Sequence, residues 1–255
     1  MKKLKVHKDY KNHRALLLDL IANFESQGEI IVDGDRNKIK SFDLEGTQIN
    51  IKRFKTPNVF NALVYRHIRK SKAKRSFEYA KLLESKTIGT PAPIAYFEDT
   101  SIWGLGDSYY VSKHIDYDFD FRDLIHQPNF PDRENILRQF TAFTFKLHEN
   151  NIEFLDHSPG NTLIKTKGNG NYNFFLIDLN RMRFKSLNLQ ERLHNFRRLW
   201  LSKTMVKIIA EAYSDLTKEP FEKVYAMLLE SSRAFQRKKN TKKLRKLGRR
   251  PKFKS

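Results

Sequence analysis

The chain contains segments in which hydrophobic and polar residues alternate one by one. Between residues 48 and 54, Ile49 and Ile51 fall on one face and Lys52 falls on the other. This alternation is typical of a strand that buries one face. The segment 109–112 is rich in aromatic and β-branched residues and predicts a further strand. We therefore expect the first half of the chain to contain a small sheet.

Other segments have apolar residues three and four positions apart, which predicts amphipathic helices. Phe77, Ala80 and Leu83 indicate a helix over residues 76–84. The second half has three more such patterns, in residues 136–147, 193–208 and 221–229. With 255 residues, the chain suits an α+β fold with a small strand-rich lobe and a larger, mainly helical lobe.

A hairpin is predicted near the middle of the second half. Residues 162–164 and 174–177 have strand character, and an Asn-Gly pair at 169–170 lies between them. Asn-Gly is the strongest short hairpin signal, and its two-residue type I′ loop fixes the strand register. If Asn169 and Gly170 form such a loop, that register sets Asn161 directly opposite Asp178.

This register brings together groups that can bind a metal ion. Directly opposed residues have Cβ atoms roughly 4.5–5.5 Å apart, so one cation could bridge the amide oxygen of Asn161 and the carboxylate of Asp178. Mg²⁺ prefers such oxygen ligands together with substrate phosphates. Asp156, held by a turn that contains Pro159 and Gly160, would face the same cavity and is a candidate general base.

The run Asp156-His157-Ser158-Pro159-Gly160-Asn161, with Leu147-His148 before it and Ile177-Asp178-Leu179-Asn180-Arg181 after it, resembles a known family. It is similar to the bacterial lipopolysaccharide core kinases, which phosphorylate Kdo or heptose. The similarity extends over residues 34–184. It implies a two-lobed, protein-kinase-like fold with an antiparallel sheet in the first lobe, and it implies ATP and Mg²⁺ as cofactors.

The resemblance also implies roles for individual residues. Asp156 would be the base, Asn161 and Asp178 would hold Mg²⁺, Lys52 would contact the α- and β-phosphates of ATP, and Glu78 would orient Lys52. The nucleotide would be covered by Gly34, Arg36 and Asn37, and Ser112 would precede the adenine-binding hinge at 113–116. Arg181 and Arg183 are candidates for binding an anionic sugar, with solvated surface arginines as the alternative. The implied domains are residues 1–112, 113–232 and a tail, 233–255.

Two departures from protein kinases indicate a sugar acceptor. Asp178 is not followed by Phe-Gly, an activation segment and Ala-Pro-Glu. Phe154 and Leu155 replace the His and Arg that precede the catalytic Asp in protein kinases. We expect the acceptor to belong to the lipopolysaccharide inner core, with Kdo preferred over heptose on overall likeness. The alternatives are a compact atypical Ser/Thr protein kinase and a catalytically silent kinase fold that binds lipid or nucleic acid.

The charge distribution predicts an interaction with a membrane surface. The formal net charge is +20, and residues 233–255 carry twelve Lys or Arg and no acid. Such runs are usually disordered, and each basic residue near an anionic bilayer contributes about 1 kcal/mol. The absence of cysteine excludes disulfides and structural Cys-zinc sites. We expect a cytoplasmic protein attached peripherally to the inner membrane, without nucleic acid as a partner.

His148 and His157 are expected to be structural.

Overall fold

The computed structural model describes residues 1–34, 37–55, 70–101 and 104–248. Two compact units divide the chain. The first comprises residues 1–116 together with 175–181, and the second comprises residues 117–174 and those from 182 onward. The short segment 175–181 therefore belongs to the first unit although it lies far along the sequence.

The first unit is built on an antiparallel sheet of six strands. These are β1 (Lys2–Val6), β2 (Glu29–Asp33), β3 (Asn37–Leu44), β4 (Thr47–Phe54), β5 (Pro93–Ser101) and β6 (Gly104–Lys113). Their order is β1-β5-β6-β4-β3-β2, so β4 has a neighbour on each side. In the described part of this unit, the α-helices are α1 (Arg14–Ala22) and α2 (Lys72–Ser85).

The predicted alternation in β4 fixes which of its side chains are buried. Ile49 and Ile51 are fully buried and pack with Leu17 and Ile21 of α1 in one hydrophobic cluster. Lys52 projects from the opposite face of the strand because successive strand residues alternate. Backbone pairing with β3 and β6 on either side holds β4 in place.

Hydrogen bonds tie the segment 175–181 to the first unit. The backbone nitrogen of Leu176 donates to the carbonyl oxygen of Gly89 at 2.9 Å. The hydroxyl of Thr90 donates to the carbonyl oxygen of Leu176 at 2.8 Å. The residues that follow Leu176, including Asp178, are therefore positioned by the β-sheet unit.

The second unit is mainly helical. Its helices are α3 (Phe121–His126), α4 (Arg133–Glu149), α5 (Leu189–Asn195), α6 (Lys203–Thr217) and α7 (Phe221–Gly248). The strands of this part of the chain are β7 (Phe119–Asp120), β8 (Ile152–Phe154), β9 (Thr162–Gly168), β10 (Asn171–Leu176) and β11 (Met182–Phe184). They form one sheet in the order β10-β9-β7 and a β11-β8 pair.

The predicted hairpin is present, but its strands are shorter than the register argument required. Asn169 and Gly170 form the two-residue loop with φ of 51° and 69°, the positive values that a type I′ turn needs. β9 begins only at Thr162, because Asn161 closes a 3-10 turn that Pro159 opens. Asp178 lies beyond the end of β10 with φ of 56°. The expectation that Asn161 and Asp178 face each other as a strand pair is therefore wrong.

The apolar pattern at 193–208 does not correspond to one helix. Leu193 and Phe196 are buried as the pattern predicts. Trp200 has a left-handed φ of 57° and ends a 3-10 helix, Phe196–Leu199, before α6 starts. The Trp200 side chain is 40% exposed. The break places a short turn between α5 and α6.

The expected disorder of residues 233–255 is wrong for residues 233–248, because α7 continues without a break to Gly248. Once the packed half of α7 has nucleated the helix, each added residue needs only propagation, and Lys, Arg and Leu are good helix formers. Every residue from Arg237 to Arg245 is exposed. Within the described parts of the chain, none of the helices combines the length and apolar character that a bilayer-spanning helix requires.

Candidate active site

The sheet unit brings a lysine and an aspartate into direct contact. The ammonium of Lys52 in β4 donates to Oδ1 of Asp178 at 2.8 Å. The side chains are 13% and 29% exposed, so the pair is partly shielded from water. Two residues that the sequence analysis selected for separate reasons thus form one ion pair.

A neighbouring amide fixes the Asp178 carboxylate further. Nδ2 of Asn180 donates to Oδ1 of Asp178 at 2.6 Å. Asp178 itself has a left-handed backbone conformation, which is uncommon outside glycine and is tolerated best by Asp and Asn. The sequence analysis assigned no site role to Asn180, although its spacing of two residues from Asp178 makes this contact available.

Glu78 does not make the contact that the resemblance implies. Its Oε2 accepts a hydrogen bond from the ammonium of Lys70 at 2.7 Å, and this bond and the adjacent negative charge raise the pKa of Lys70. Among the described residues, Lys52 pairs with Asp178 and Glu78 pairs with Lys70. The expected Lys52–Glu78 pair is therefore not formed, because each lysine has a closer carboxylate.

The second unit carries Asp156 and Asn161 on a tight loop after β8. The backbone nitrogen of His157 donates to the carbonyl oxygen of Phe154 at 3.1 Å. The backbone nitrogen of Ser158 donates to the carbonyl oxygen of Asp156 at 2.7 Å. Nδ2 of Asn161 donates to the carbonyl oxygen of Asp156 at 2.8 Å. The loop is thus closed by its own hydrogen bonds, and the amide of Asn161 is oriented by the residue proposed as the base.

An arginine from a distant helix binds the Asp156 side chain. Nη2 of Arg198 lies 2.6 Å from Oδ1 of Asp156, with the side chains 27% and 19% exposed. Nη1 of Arg198 donates to the carbonyl oxygen of Leu155 at 3.5 Å. The sequence analysis missed Arg198, and no local pattern could have found it, because basic residues are common throughout this chain.

Two buried histidines lie behind the loop. Burial lowers the pKa of His157 to about 3, with His148 contributing, and burial lowers the pKa of His148 to about 4. Nδ1 of His148 lies 2.8 Å from the hydroxyl of Tyr213, and Nε2 lies 3.4 Å from Oδ1 of Asn195. Both imidazoles are core groups, which agrees with their expected structural role.

The predicted nucleotide-binding residues lie in or next to the sheet. Gly34 follows β2, and its backbone nitrogen donates to the carbonyl oxygen of Asn37 at 3.2 Å. The side-chain oxygen of Asn37 is buried and has no hydrogen-bond partner among the described residues. Ser112 is buried in β6 opposite Asn50. Arg36 lies outside the described residues.

The two candidate sugar-binding arginines lie in different units. Arg181 belongs to the segment 175–181 of the first unit, and Arg183 belongs to β11 of the second. Nη1 of Arg183 donates to the buried carboxylate of Glu153 at 3.0 Å. Arg183 therefore neutralises Glu153 across the β11-β8 pair.

The donor atoms at these positions suit a hard cation. Asp178 and Asn161 offer carboxylate and amide oxygens, which Mg²⁺ takes in preference to sulfur and imidazole. Within the described ranges, no group of three or more His, Cys, Asp or Glu residues is placed to hold a metal.

Comparisons with known proteins agree with this chemistry. The model of the lipopolysaccharide kinase (Kdo/WaaP) family matches residues 39–225. The solved structure described as "WaaP in complex with acyl carrier protein" is similar with a TM-score of 0.65 and 14% identity, over 92% of this chain and 98% of that chain. No curated protein sequence matches the chain. At this identity the structural similarity shows a kinase-like fold.

Proposed function

We propose, on the premise that this chain belongs to the lipopolysaccharide kinase (Kdo/WaaP) family, that it transfers the γ-phosphate of ATP to a sugar of the lipopolysaccharide inner core, with Kdo as the preferred acceptor and heptose as the other. Membership confirms the resemblance predicted from the sequence. It makes the chain a phosphotransferase that acts on a sugar hydroxyl. The two-lobed, kinase-like fold is also confirmed.

The observation that carries the proposal is the contact between Lys52 and Asp178. These residues are 126 positions apart in the sequence, and the fold joins their side chains at 2.8 Å. A kinase uses a strand lysine to hold the nucleotide phosphates and an aspartate to hold their metal ion, and this contact brings two such residues side by side. We assign Lys52 to the α- and β-phosphates and Asp178 to Mg²⁺.

The remaining roles are assigned to the loop after β8. Asp156 acts as the general base that accepts the proton of the sugar hydroxyl. Asn161 supplies its amide oxygen to Mg²⁺, and its Nδ2 bond to the Asp156 carbonyl holds that amide in one orientation. When bound, Mg²⁺ neutralises the charge that develops on the phosphate oxygens.

We assign binding of the ATP phosphates and the adenine to residues of the first unit. Gly34 follows β2 and Asn37 begins β3, and we assign both to the phosphates together with Arg36. Ser112, next to the end of β6, marks the start of the adenine hinge. Asp178 takes the orienting role towards Lys52 that the resemblance gave to Glu78.

The basic half of α7 is the surface that we assign to an anionic membrane. Trp200 lies against Phe235 with ring centroids 5.9 Å apart, and the ammonium of Lys239 lies 5.4 Å from the Phe235 ring. Aromatic side chains beside lysines are typical of segments that lie at a bilayer interface. The surface would hold the enzyme where a lipid-linked acceptor is displayed.

Transfer of labelled γ-phosphate from Mg·ATP tests the function. Purified Kdo–lipid A and heptose-extended core are the two acceptors, and Asp156→Asn is the control variant. We expect label on Kdo–lipid A that is lost in the variant. Label on the heptose-extended core alone would change the acceptor, and label on protein alone would favour a protein kinase. No transfer to any acceptor, with ATP still bound, would favour a catalytically silent kinase fold.

A further inference from the structure

The turn between α5 and α6 binds the backbone and the side chain of the loop that carries Asp156. We propose that Arg198 is a positioning residue for phosphotransfer, which holds the Asp156 carboxylate and the Leu155 carbonyl in a fixed orientation. This inference rests on the proposed function, because it concerns the group that is assigned as its base.

Asn195 and Arg198 form hydrogen bonds or ion pairs with three successive residues, Phe154, Leu155 and Asp156. Nδ2 of Asn195 donates to the carbonyl oxygen of Phe154 at 2.9 Å. Arg198 donates to the carbonyl oxygen of Leu155 at 3.5 Å and lies 2.6 Å from the carboxylate of Asp156. The last residue of α5 and the 3-10 helix that follows it thus hold the last residue of β8 and the two residues after it.

The turn that presents Arg198 is itself firmly anchored. Phe196 and Leu199, on either side of the arginine pair, are fully buried in the core of the second unit. The ring of Phe196 packs against His157, the residue next to Asp156, at a centroid distance of 6.1 Å. The backbone of Arg198 is therefore fixed in the core, and its guanidinium, bonded to both Leu155 and Asp156, holds the carboxylate from that fixed point.

The hydrogen bonds described within the loop hold its backbone and the Asn161 amide, whereas the bond from Arg198 holds the Asp156 carboxylate. Leu155 is apolar, and Pro159 and Gly160 form a turn without side-chain donors. A base must lie within hydrogen-bond reach of the proton that it accepts, and a displacement of about 1 Å can reduce the rate on the order of 100-fold. A charge-assisted bond from an arginine is among the stronger bonds that could prevent such a displacement.

Arg197 provides a matched control. It is the adjacent residue of the same 3-10 helix, but its Nη1 donates to the carbonyl oxygen of His194 at 2.8 Å. Arg197 and Arg198 are both partly buried, and burial lowers the pKa of Arg197. Loss of the Arg197 guanidinium removes a cation from the same turn without removing a bond to the loop.

The test compares Arg198→Met, Arg198→Lys and Arg197→Met in the full chain. Amide hydrogen exchange of residues 154–161 reports on the loop independently of activity, because the amides of His157, Ser158 and Asn161 are hydrogen-bonded. For Arg198→Met we expect exchange faster by on the order of tenfold. We also expect kcat to fall by about 100-fold while KM for ATP stays within about twofold.

The conservative variant and an added ligand separate positioning from general damage. Lysine keeps the charge but lacks the planar fork, so Arg198→Lys should lose about tenfold in kcat, between the wild type and Arg198→Met. Guanidinium ion added to Arg198→Met should restore part of kcat and slow the exchange again. Arg197→Met should match the wild type in both measurements.

Each outcome decides the proposal. Exchange or kcat equal to the wild type in Arg198→Met would overturn it, as would equal losses in Arg197→Met. If the wild type transfers no phosphate to either glycolipid while Arg198→Met exchanges faster, the hold on the loop is supported and the proposed function fails.

Discussion

At the residue scale, the ion pair between the ammonium of Lys52 and the carboxylate of Asp178 joins two partly buried charges. Their contact lies within one folded unit and is shielded from solvent more than a surface ion pair. Loss of one partner leaves the other charge with fewer hydrogen-bond partners in a partly dry environment. The pair should therefore stabilise the fold, in addition to the roles that we propose for its two residues in binding the nucleotide and its metal ion.

A double-mutant cycle measures this dependence. Lys52→Met should lower the free energy of unfolding by about 1–3 kcal/mol, since Asp178 then keeps only Asn180 as a described donor. Adding Asp178→Asn should have a smaller effect than it has alone, with a coupling of about 1 kcal/mol in urea unfolding. Additive effects would show that the contact does not stabilise the fold.

Lys113→Met is the matched control for this cycle. Lys113 ends the neighbouring strand β6 and is exposed. Its replacement should change the free energy of unfolding by less than about 0.5 kcal/mol.

The buried histidines give the fold a defined pH dependence. Burial lowers the pKa of His148 to about 4 and that of His157 to about 3, whereas an unfolded imidazole titrates near 6.5. The unfolded chain therefore binds more protons than the folded chain between these values, so stability falls as the pH falls below about 6.5. Each histidine contributes a slope of up to about 1.4 kcal/mol per pH unit within its window.

His157→Phe should reduce this slope between pH 6 and 4, measured by urea unfolding at a series of about five pH values. A phenyl ring suits the site, because Phe140, Phe154 and Phe196 surround the imidazole. The exposed His126 is the control, and His126→Gln should keep the wild-type slope. An unchanged slope in His157→Phe would show that His157 does not contribute to the pH dependence of the free energy of unfolding.

At the element scale, two glycines with left-handed backbone conformations lie at the ends of strands. Gly28, before β2, and Gly46, between β3 and β4, both have positive φ, at 77° and 82°. A Cβ on Gly28 would lie 2.6 Å from the ring of Phe42 and 2.8 Å from the carbonyl oxygen of Ser41. A Cβ on Gly46 would meet nothing within 4 Å.

The two glycines thus separate backbone strain from steric clash. Gly46→Ala should lower the free energy of unfolding by about 1 kcal/mol, from the unfavourable φ alone. Gly28→Ala should lower it by about 2–4 kcal/mol, because the Cβ also collides with a buried ring and the backbone. Chemical denaturation of both variants gives the comparison, and equal losses would show that the sheet yields at Phe42.

The net charge of +20 is concentrated at one end of the whole molecule. Residues 237–255 carry eleven Lys or Arg and no acid, and the described part of this segment is an exposed helix. At about 1 kcal/mol for each basic residue close to an anionic bilayer, several contacts suffice for peripheral attachment. The attachment should weaken with salt because the attraction is screened.

Flotation with phosphatidylglycerol-containing vesicles tests this attachment. The full chain should float at about 0.1 M salt and dissociate at about 0.5 M, and it should not float with neutral vesicles. A chain that ends at Gln236 keeps the Trp200–Phe235 contact and the bond from Gln236 to Leu201, so its fold should be unchanged. Equal flotation of both chains would exclude the basic helix as the attachment surface.

The sequence by itself determined the features that depend on neighbouring residues. Alternation predicted β4, helical spacing predicted α2 and α4, and Asn169-Gly170 predicted the hairpin loop, because these signals arise within a few residues. The run from Asp156 to Asn161 indicated the family for the same reason, since its residue types and spacing are local.

Only the tertiary structure decided which side chains meet. Lys52 binds Asp178 and Glu78 binds Lys70, although the sequence favoured a Lys52–Glu78 pair. Arg198 reaches Asp156 from a turn 42 positions further along the chain. Partner choice depends on how distant elements pack and on which opposite charge then lies nearest, and no local pattern encodes that distance.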